Sequence, residues 1–530
     1  MPEPRMLRCL AIAAVATALY TYRLDAVPAY LTLDEAHFAV HAHSIAQTGR
    51  NLDGQFLPLL ISLEDPLGEP MQLAWGHTHY LPLGMYLIAG ALQVLPFNES
   101  TVRLPSALLG GFINIVLIYA LALALLQSRM VAATSAALLA VAPANLIISR
   151  PGIDSVCQLP FALGGLCCVA WYLRTRDDRL ALAAGVVFGF GIYAYVTSVV
   201  MMPFYLMLFW LVSRHAGVLT RRVVMLSLAG FVAALLPMAA WLVWHPDALR
   251  GILLQYNRAD PGSTVVMAIA QQDGAIAAIR EFVRVYWSYF DPSFMFVTGS
   301  NMRTLTTHQA GVFLWPVALL APLGLWHLRT NRTAQLLLIV CVLVAPIPAV
   351  IKGAPYQIQR ASGLLVFVSL LAGCGLAALW TSRLTASRAL APILVLACVW
   401  QFAVFYNDYH GGYRVRSAGA YDPTAFPEAA ETIIAADRRS PTPAIYLPAG
   451  LYDISAKWRF HATKHNRIEL LQRTRYVKGA LSEVANAPIG ASAVLPIGNA
   501  GGPATAGWET ITIVRTLEGE ATLVVLRRSG

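Results

Sequence analysis

Residues 31–49 read LTLDEAHFAVHAHSIAQTG and set two adjacent acids, Asp34 and Glu35, just ahead of His37, His41 and His43. A positioned carboxylate can take the proton of a hydroxyl as that hydroxyl attacks. Asp34, His37 and His41 stand at i, i+3 and i+7, so a helix would carry them on one face. Such a trio can also hold a metal, although no HExxH pattern accompanies it. Position alone leaves two readings open for the acids. In one, Thr32 or Asp34 caps a helix over 35–47 and the acids suit the positive end of its dipole. In the other, a general base waits at a membrane surface.

Further candidates lie downstream. SRPGIDS (149–155) carries Arg150 and Asp154. YFDPSFMFVTGSNMRTLTTHQAG (289–311) carries Asp291, Arg303 and His308, and KGAPYQIQR (352–360) carries Lys352, Gln359 and Arg360. An arginine at a helix end is either a snorkelling anchor or a planar fork for phosphate. In GHTHYLP, His77 and His79 alternate as on an extended segment. With Tyr80 and Gln359 they are candidate substrate contacts; metal ligation and a solvated turn are the alternatives.

These residues need elements to position them. The chain has 530 residues, 57% hydrophobic and only 12% charged, with a mean hydropathy of +0.59. Apolar runs recur to about residue 406, which predicts a polytopic membrane protein. Spans are expected near 7–22, 102–126, 130–148, 157–173, 180–197, 198–213, 222–244, 311–328, 334–350, 361–380 and 389–406. The apolar segment 81–96 is short and proline-bounded. If it does not cross, Arg129, Arg174, Arg176, Arg179, Arg214, Arg221, Arg222, Arg329, Arg332, Arg383 and Arg388 share the side of Arg5 and Arg8. That is the positive-inside pattern. The expectation is therefore eleven spans, an uncleaved N-terminal anchor, and long outer segments at 23–101, 245–310 and beyond 406. Ten of the twelve histidines then lie outside. Arg150, Arg303, Lys352 and Arg360 lie outside too, against the charge trend, and point to an anionic ligand on that face; ordinary scatter is the alternative.

The net charge of +10 is spread over short loops, which argues against a nucleic-acid surface. The seven cysteines lie in or beside apolar segments, so no disulfide framework is expected. A Walker loop and a GxSxG elbow are both missing. GCGLAA (373–378) falls inside a span and reads as small-residue helix packing. Beyond 406, FPEAAETIIAADRR has helical spacing, and AIYLPA, SAVLPIG, TITIVRTL and TLVVLRR read as strands. The fold expected is an all-α membrane domain over 1–406 with a small extracytoplasmic α/β domain over 407–530.

The segment LDEAHFAVHAHSIAQTGRNLDGQFLPL resembles the first outer loop of the GT-C membrane glycosyltransferases. More narrowly, it resembles the protein-mannosyltransferase and aminoarabinose-transferase branch. HTHYLPLGMYLIAGALQVLPFNESTVRLPSALLGG, LLAVAPANLIISRPGID, YFDPSFMFVTGSNMR and YQIQRASGLLVFVSLLAGCGL follow in the family's order, so the resemblance covers about 1–410. It implies a polyprenyl-phosphate sugar as donor, an acceptor of unstated class, and inversion at the sugar carbon. The work would be done on the periplasmic or extracellular side of a bacterial inner membrane. It implies Asp34 as base, Asp154 as a catalytic-site residue that orients the acceptor or the sugar, and Glu35 as a further catalytic residue. Arg303, Arg360, Lys352 and Arg150 would face the donor phosphate. No cofactor and no obligatory metal are expected, a divalent ion being the alternative. Many relatives carry Arg-Tyr after Asp-Glu, where this chain has Ala36-His37; Glu64-Asp65 is a second acidic pair in the same loop. A transporter or flippase of lipid-linked saccharides, or a surface polysaccharide polymerase or ligase, are rival functions. Transporters place charges at mid-membrane, whereas here the charges gather at one outer surface.

Overall fold

The computed structural model describes residues 4–63, 79–248, 274–449, 451, 454–499 and 507–529. After the first helix, α1 (Pro4–Thr21), the acidic segment forms α2 (Leu33–Thr48). The start of α2 is fixed by reciprocal capping: Thr32 Oγ1 accepts from the Glu35 amide at 3.1 Å, and Glu35 Oε2 accepts from the Thr32 amide at 2.8 Å. Gly49 ends α2 in the left-handed region, at φ 69°.

A two-stranded ribbon then pairs β1 (Ile61–Ser62) with β2 (His79–Tyr80), setting Tyr80 opposite Ile61. The segment at 81–96 becomes α3 (Leu83–Leu92), a ten-residue helix too short to cross a bilayer. α4 (Glu99–Leu108) runs through a π-turn into α5 (Asn114–Leu126), one 28-residue apolar rod. α6 (Arg129–Ala140) and α7 (Pro143–Ser149) are bent by 60°; Pro143 cannot extend the earlier helix. α8 (Leu159–Thr175), α9 (Asp178–Gly191), α10 (Ser198–His215) and α11 (Arg221–Trp244) follow.

Among the described residues, seven helices are long and apolar enough to cross a membrane, or eight if the bent pair is one span. The chain is an integral membrane protein; helix length alone supports seven or eight of the eleven expected spans. Three apolar windows build shorter helices: Leu7–Thr21, Asp178–Gly191 and Val317–His327. The last two are cut short where Gly191 precedes a turn and where Pro316 begins the helix.

After the long helix Thr385–His410, the chain forms a five-stranded sheet in the order β4-β3-β5-β7-β6. Its strands are β3 (Ile445–Pro448), β4 (Thr474–Val477), β5 (Ser492–Pro496), β6 (Trp508–Arg515) and β7 (Ala521–Arg528). β3 is parallel to β4 and β5, while β7 is antiparallel to β5 and β6. The helix over 426–439 forms as its spacing predicts, and the helix Ile454–Lys464 joins it. Ile433, Ile434, Trp458, Leu447 and Val525 share one core. Phe460 instead enters the cluster of Phe38, Ile61 and Met85, so the C-terminal part braces α2 directly.

Candidate functional site

Asp34 sits in the first turn of α2, half-buried, while Glu35 beside it is sealed. Asp34 Oδ1 accepts a hydrogen bond from the Tyr80 hydroxyl at 2.7 Å. The ribbon register fixes Tyr80, and its ring stands edge-on to Phe38 at 5.2 Å. Burial, then the Asp34 charge, push the Tyr80 phenol well above its usual range, so it remains a donor.

Asp154 is buried in a 3-10 turn (Asp154–Val156) and lies within electrostatic reach of Asp34 and Arg360. Gly84 allows this approach: a Cβ there would lie 3.1 Å from Asp154 Cβ and 3.3 Å from the Phe38 ring. Arg360 stands in the 3-10 turn Ile358–Ala361, packed beside the Asp154 turn, with its Nε donating to Gln357 Oε1 at 3.0 Å. Gln158 ties the neighbouring segments together. Its Nε2 donates to Ser362 Oγ at 2.8 Å and its Oε1 accepts from Thr197 Oγ1 at 2.7 Å. The buried Tyr289 hydroxyl donates to the Ala354 carbonyl and accepts from the Gln357 amide at 3.1 Å, holding the same strap.

Two expected site residues hold other positions. Glu35 Oε1 accepts from Arg103 Nε at 2.9 Å and from the Gly152 amide at 2.9 Å, while Oε2 completes the α2 cap. Arg103 also donates to the carbonyls of Leu24, Pro28 and Tyr30. This buried pair is a joint between α2, α4 and the loop before Asp154, so Glu35 is not placed to take a substrate proton. Arg150 is fully buried and donates to the carbonyls of Tyr20, Arg23 and Val27. It closes the turn after α1 rather than facing a phosphate.

The other candidates scatter. Arg303 is exposed and donates to the Arg416 carbonyl at 3.3 Å, against the C-terminal segment. Lys352 is half-buried at the end of the helix Ile347–Lys352, and Gln359 shares the turn of Arg360. His79 is half-buried opposite Ser62. His77, Glu64 and Asp65 lie outside the described residues. His37 and His41 are buried within α2. His43 packs on Phe97 at 4.9 Å, and burial lowers its imidazole pKa. Among the described residues, no three His, Cys, Asp or Glu side chains gather as a metal set would require. Arg103 and Tyr289 were missed from the sequence. An arginine just inside an apolar rod was the one signal available for the first of them.

Residues 77–244 match the family described as dolichyl-phosphate-mannose-protein mannosyltransferase. No curated protein sequence matches the chain significantly. ArnT from Cupriavidus metallidurans, solved bound to undecaprenyl phosphate, aligns with a TM-score of 0.54 at 14% identity, over 99% of this chain and 98% of its own. Its apo structure aligns equally well, with a TM-score of 0.54 at 15% identity over 97% of each chain. The oligosaccharyltransferase from Archaeoglobus fulgidus aligns with a TM-score of 0.53 at 12% identity over 87% of this chain. This chain spans 64% of that longer protein. At these identities the solved structures establish the fold. With the matched segment, they make the chain similar to the GT-C membrane glycosyltransferases of the protein-mannosyltransferase and ArnT branch, as its ordered motifs imply.

Proposed function

We propose that the protein is an inverting glycosyltransferase that moves a sugar from a polyprenyl-phosphate donor to an acceptor hydroxyl. The work is done at the outer face of a bacterial inner membrane. The observation that carries this reading is a half-buried carboxylate, Asp34, held by the Tyr80 hydroxyl beside Asp154 and Arg360. That group stands on a fold shared with a protein solved with undecaprenyl phosphate. The acceptor oxygen attacks the anomeric carbon and gives its proton to Asp34. The bond from that carbon to the phosphate oxygen breaks, and its electron pair leaves with the polyprenyl phosphate. Arg360 offsets the charge that grows on the departing phosphate. Asp154 orients the sugar or the acceptor, Tyr80 aims the base, and Gln359 and His79 line the approach. Lys352, at the end of the helix that leads into the strap, is a further phosphate contact, while Arg303, bonded to the Arg416 carbonyl, stands apart. Domain 407–530 braces this face from outside the membrane. The test is loss of donor consumption when Asp34 is replaced by Asn in a protein that still melts normally.

A further inference from the structure

The helix Ala275–Ser288, AIAAIREFVRVYWS, has two unlike faces. Ala278, Val285 and Ser288 are buried against the protein. Ile276, Ile279, Val283 and Trp287 form one outward stripe at helical spacing and are 86%, 64%, 47% and 60% exposed. Exposed Arg280 and Arg284 border that stripe; Arg284 pairs with Glu281, which leaves Arg280 at the rim. An apolar stripe of this size is costly in water. A tryptophan with flanking arginines is the pattern of a helix lying at a membrane interface.

A contact on the flank of the stripe ties the helix to a neighbouring span. The Tyr286 hydroxyl donates to the carbonyl of Leu343 at 2.8 Å, on the apolar helix Arg332–Val344. Leu343 is itself 44% exposed, as a lipid-facing residue of that span would be, and Ile351 beyond it is 49% exposed. The outward stripe thus continues a lipid-facing belt. Directly after the helix, the Tyr289 hydroxyl grips Ala354 and Gln357 of the strap that carries Arg360.

We propose that the helix Ala275–Ser288 docks in the phospholipid headgroup layer through Ile276, Ile279, Val283 and Trp287, and through Tyr289 holds the 353–360 strap in place. The occupant is the bilayer, because the stripe is continuous with a span's lipid-facing surface and Arg280 sits where phosphates lie. The importance given to the strap rests on the proposed function, but the test needs no activity.

The full-length protein with Ile279→Cys is labelled with an environment-sensitive dye in phosphatidylcholine–phosphatidylglycerol vesicles. Labelled wild type, whose own cysteines are all free, serves as the blank. The expected result is blue-shifted emission, quenched by lipids brominated just below the headgroup and not by iodide in the water. Quenching by iodide would overturn the docking, because the stripe would then face solvent. Protection from both quenchers would also overturn it, because protein would then cover the stripe. Amide exchange across 353–361 reads the second half of the proposal. Ile279→Asp is expected to speed exchange at the Gln357 amide about fivefold, as loss of ~1 kcal/mol of restraint implies, and Ile279→Leu to leave it unchanged. Val283→Asn gives an independent variant if Ile279→Asp folds poorly. Undocking of the helix with exchange at Gln357 unchanged would refute the coupling.

Discussion

At Asp34 and Glu35, adjacent acids divide two jobs by burial. Thr32 and Glu35 build the cap of α2, which frees Asp34 from capping duty and leaves it half-exposed. Removing Arg103 should therefore hurt through structure. Arg103→Met strands the Glu35 carboxylate and three carbonyls, a loss of about 3–5 kcal/mol for a broken buried pair. Thermal melting should show this, and Glu35→Gln added to it should recover part of the loss. Tyr80→Phe should act on chemistry instead. Losing one hydrogen bond to a charged group is worth about 1.5–3 kcal/mol, so donor turnover should fall roughly ten- to hundredfold with the melt unchanged. The pair of acids was visible in the sequence, but its division of labour was not. Arg103 lies 68 residues from Glu35, and no local pattern announces a partner at that distance.

Among the elements, close helix contacts explain what small residues in the spans are for. A Cβ at Gly324 would lie 1.7 Å from the Leu371 carbonyl oxygen, and one at Gly375 2.0 Å from that of Leu320. The helices Val317–His327 and Gly363–Thr381 thus touch backbone to backbone. Gly324→Ala must force them apart, and a cost at or above the usual overpacking range of about 1–3 kcal/mol is expected in a melt. GCGLAA signalled such packing, though not the helix it meets. The long spans were legible from apolar length alone. Those near 180–197 and 311–328 form helices shorter than their apolar windows, because turns end them inside apolar sequence. Thr197, in one of those turns, is held by Gln158, a side-chain bond that hydropathy does not register.

Across the whole molecule, the C-terminal part is locked to α2 and α4 by packing and charge. Phe460 fills the cluster behind α2, and Lys464 pairs with Glu99 at 2.7 Å. Phe460→Ala should loosen α2, slowing transfer and lowering the melting temperature, within the about 3–5 kcal/mol range of such truncations. Glu431 receives hydrogen bonds from His461 at 3.0 Å and His465 at 2.7 Å, and these, with the His461 bond foremost, pull its carboxyl down to about 2. A depressed carboxyl stabilises the fold above its ordinary value of 4.5 and loses that contribution as pH falls towards 2. Glu431→Gln should therefore flatten the fall in melting temperature across that window, and an unchanged slope would contradict the assignment. Four of the five strands and the helix over 426–439 were readable from alternation and spacing. The short edge strand β4 and the helix Ile454–Lys464 were not. The first, TRYV, is half-exposed where the equally short β3 is buried throughout, and the second mixes charge with apolar residues because it faces both a sheet and α2.

The central claim is that Asp34 accepts the acceptor's proton. The direct measurement is release of free polyprenyl phosphate by purified Asp34→Asn protein, offered a panel of polyprenyl-phosphate sugars, beside wild type and with thermal melting as the folding control. The account predicts that a release seen with wild type falls at least about a hundredfold, within the span of general-base contributions, while the melt stays the same. Full activity in the mutant would contradict it.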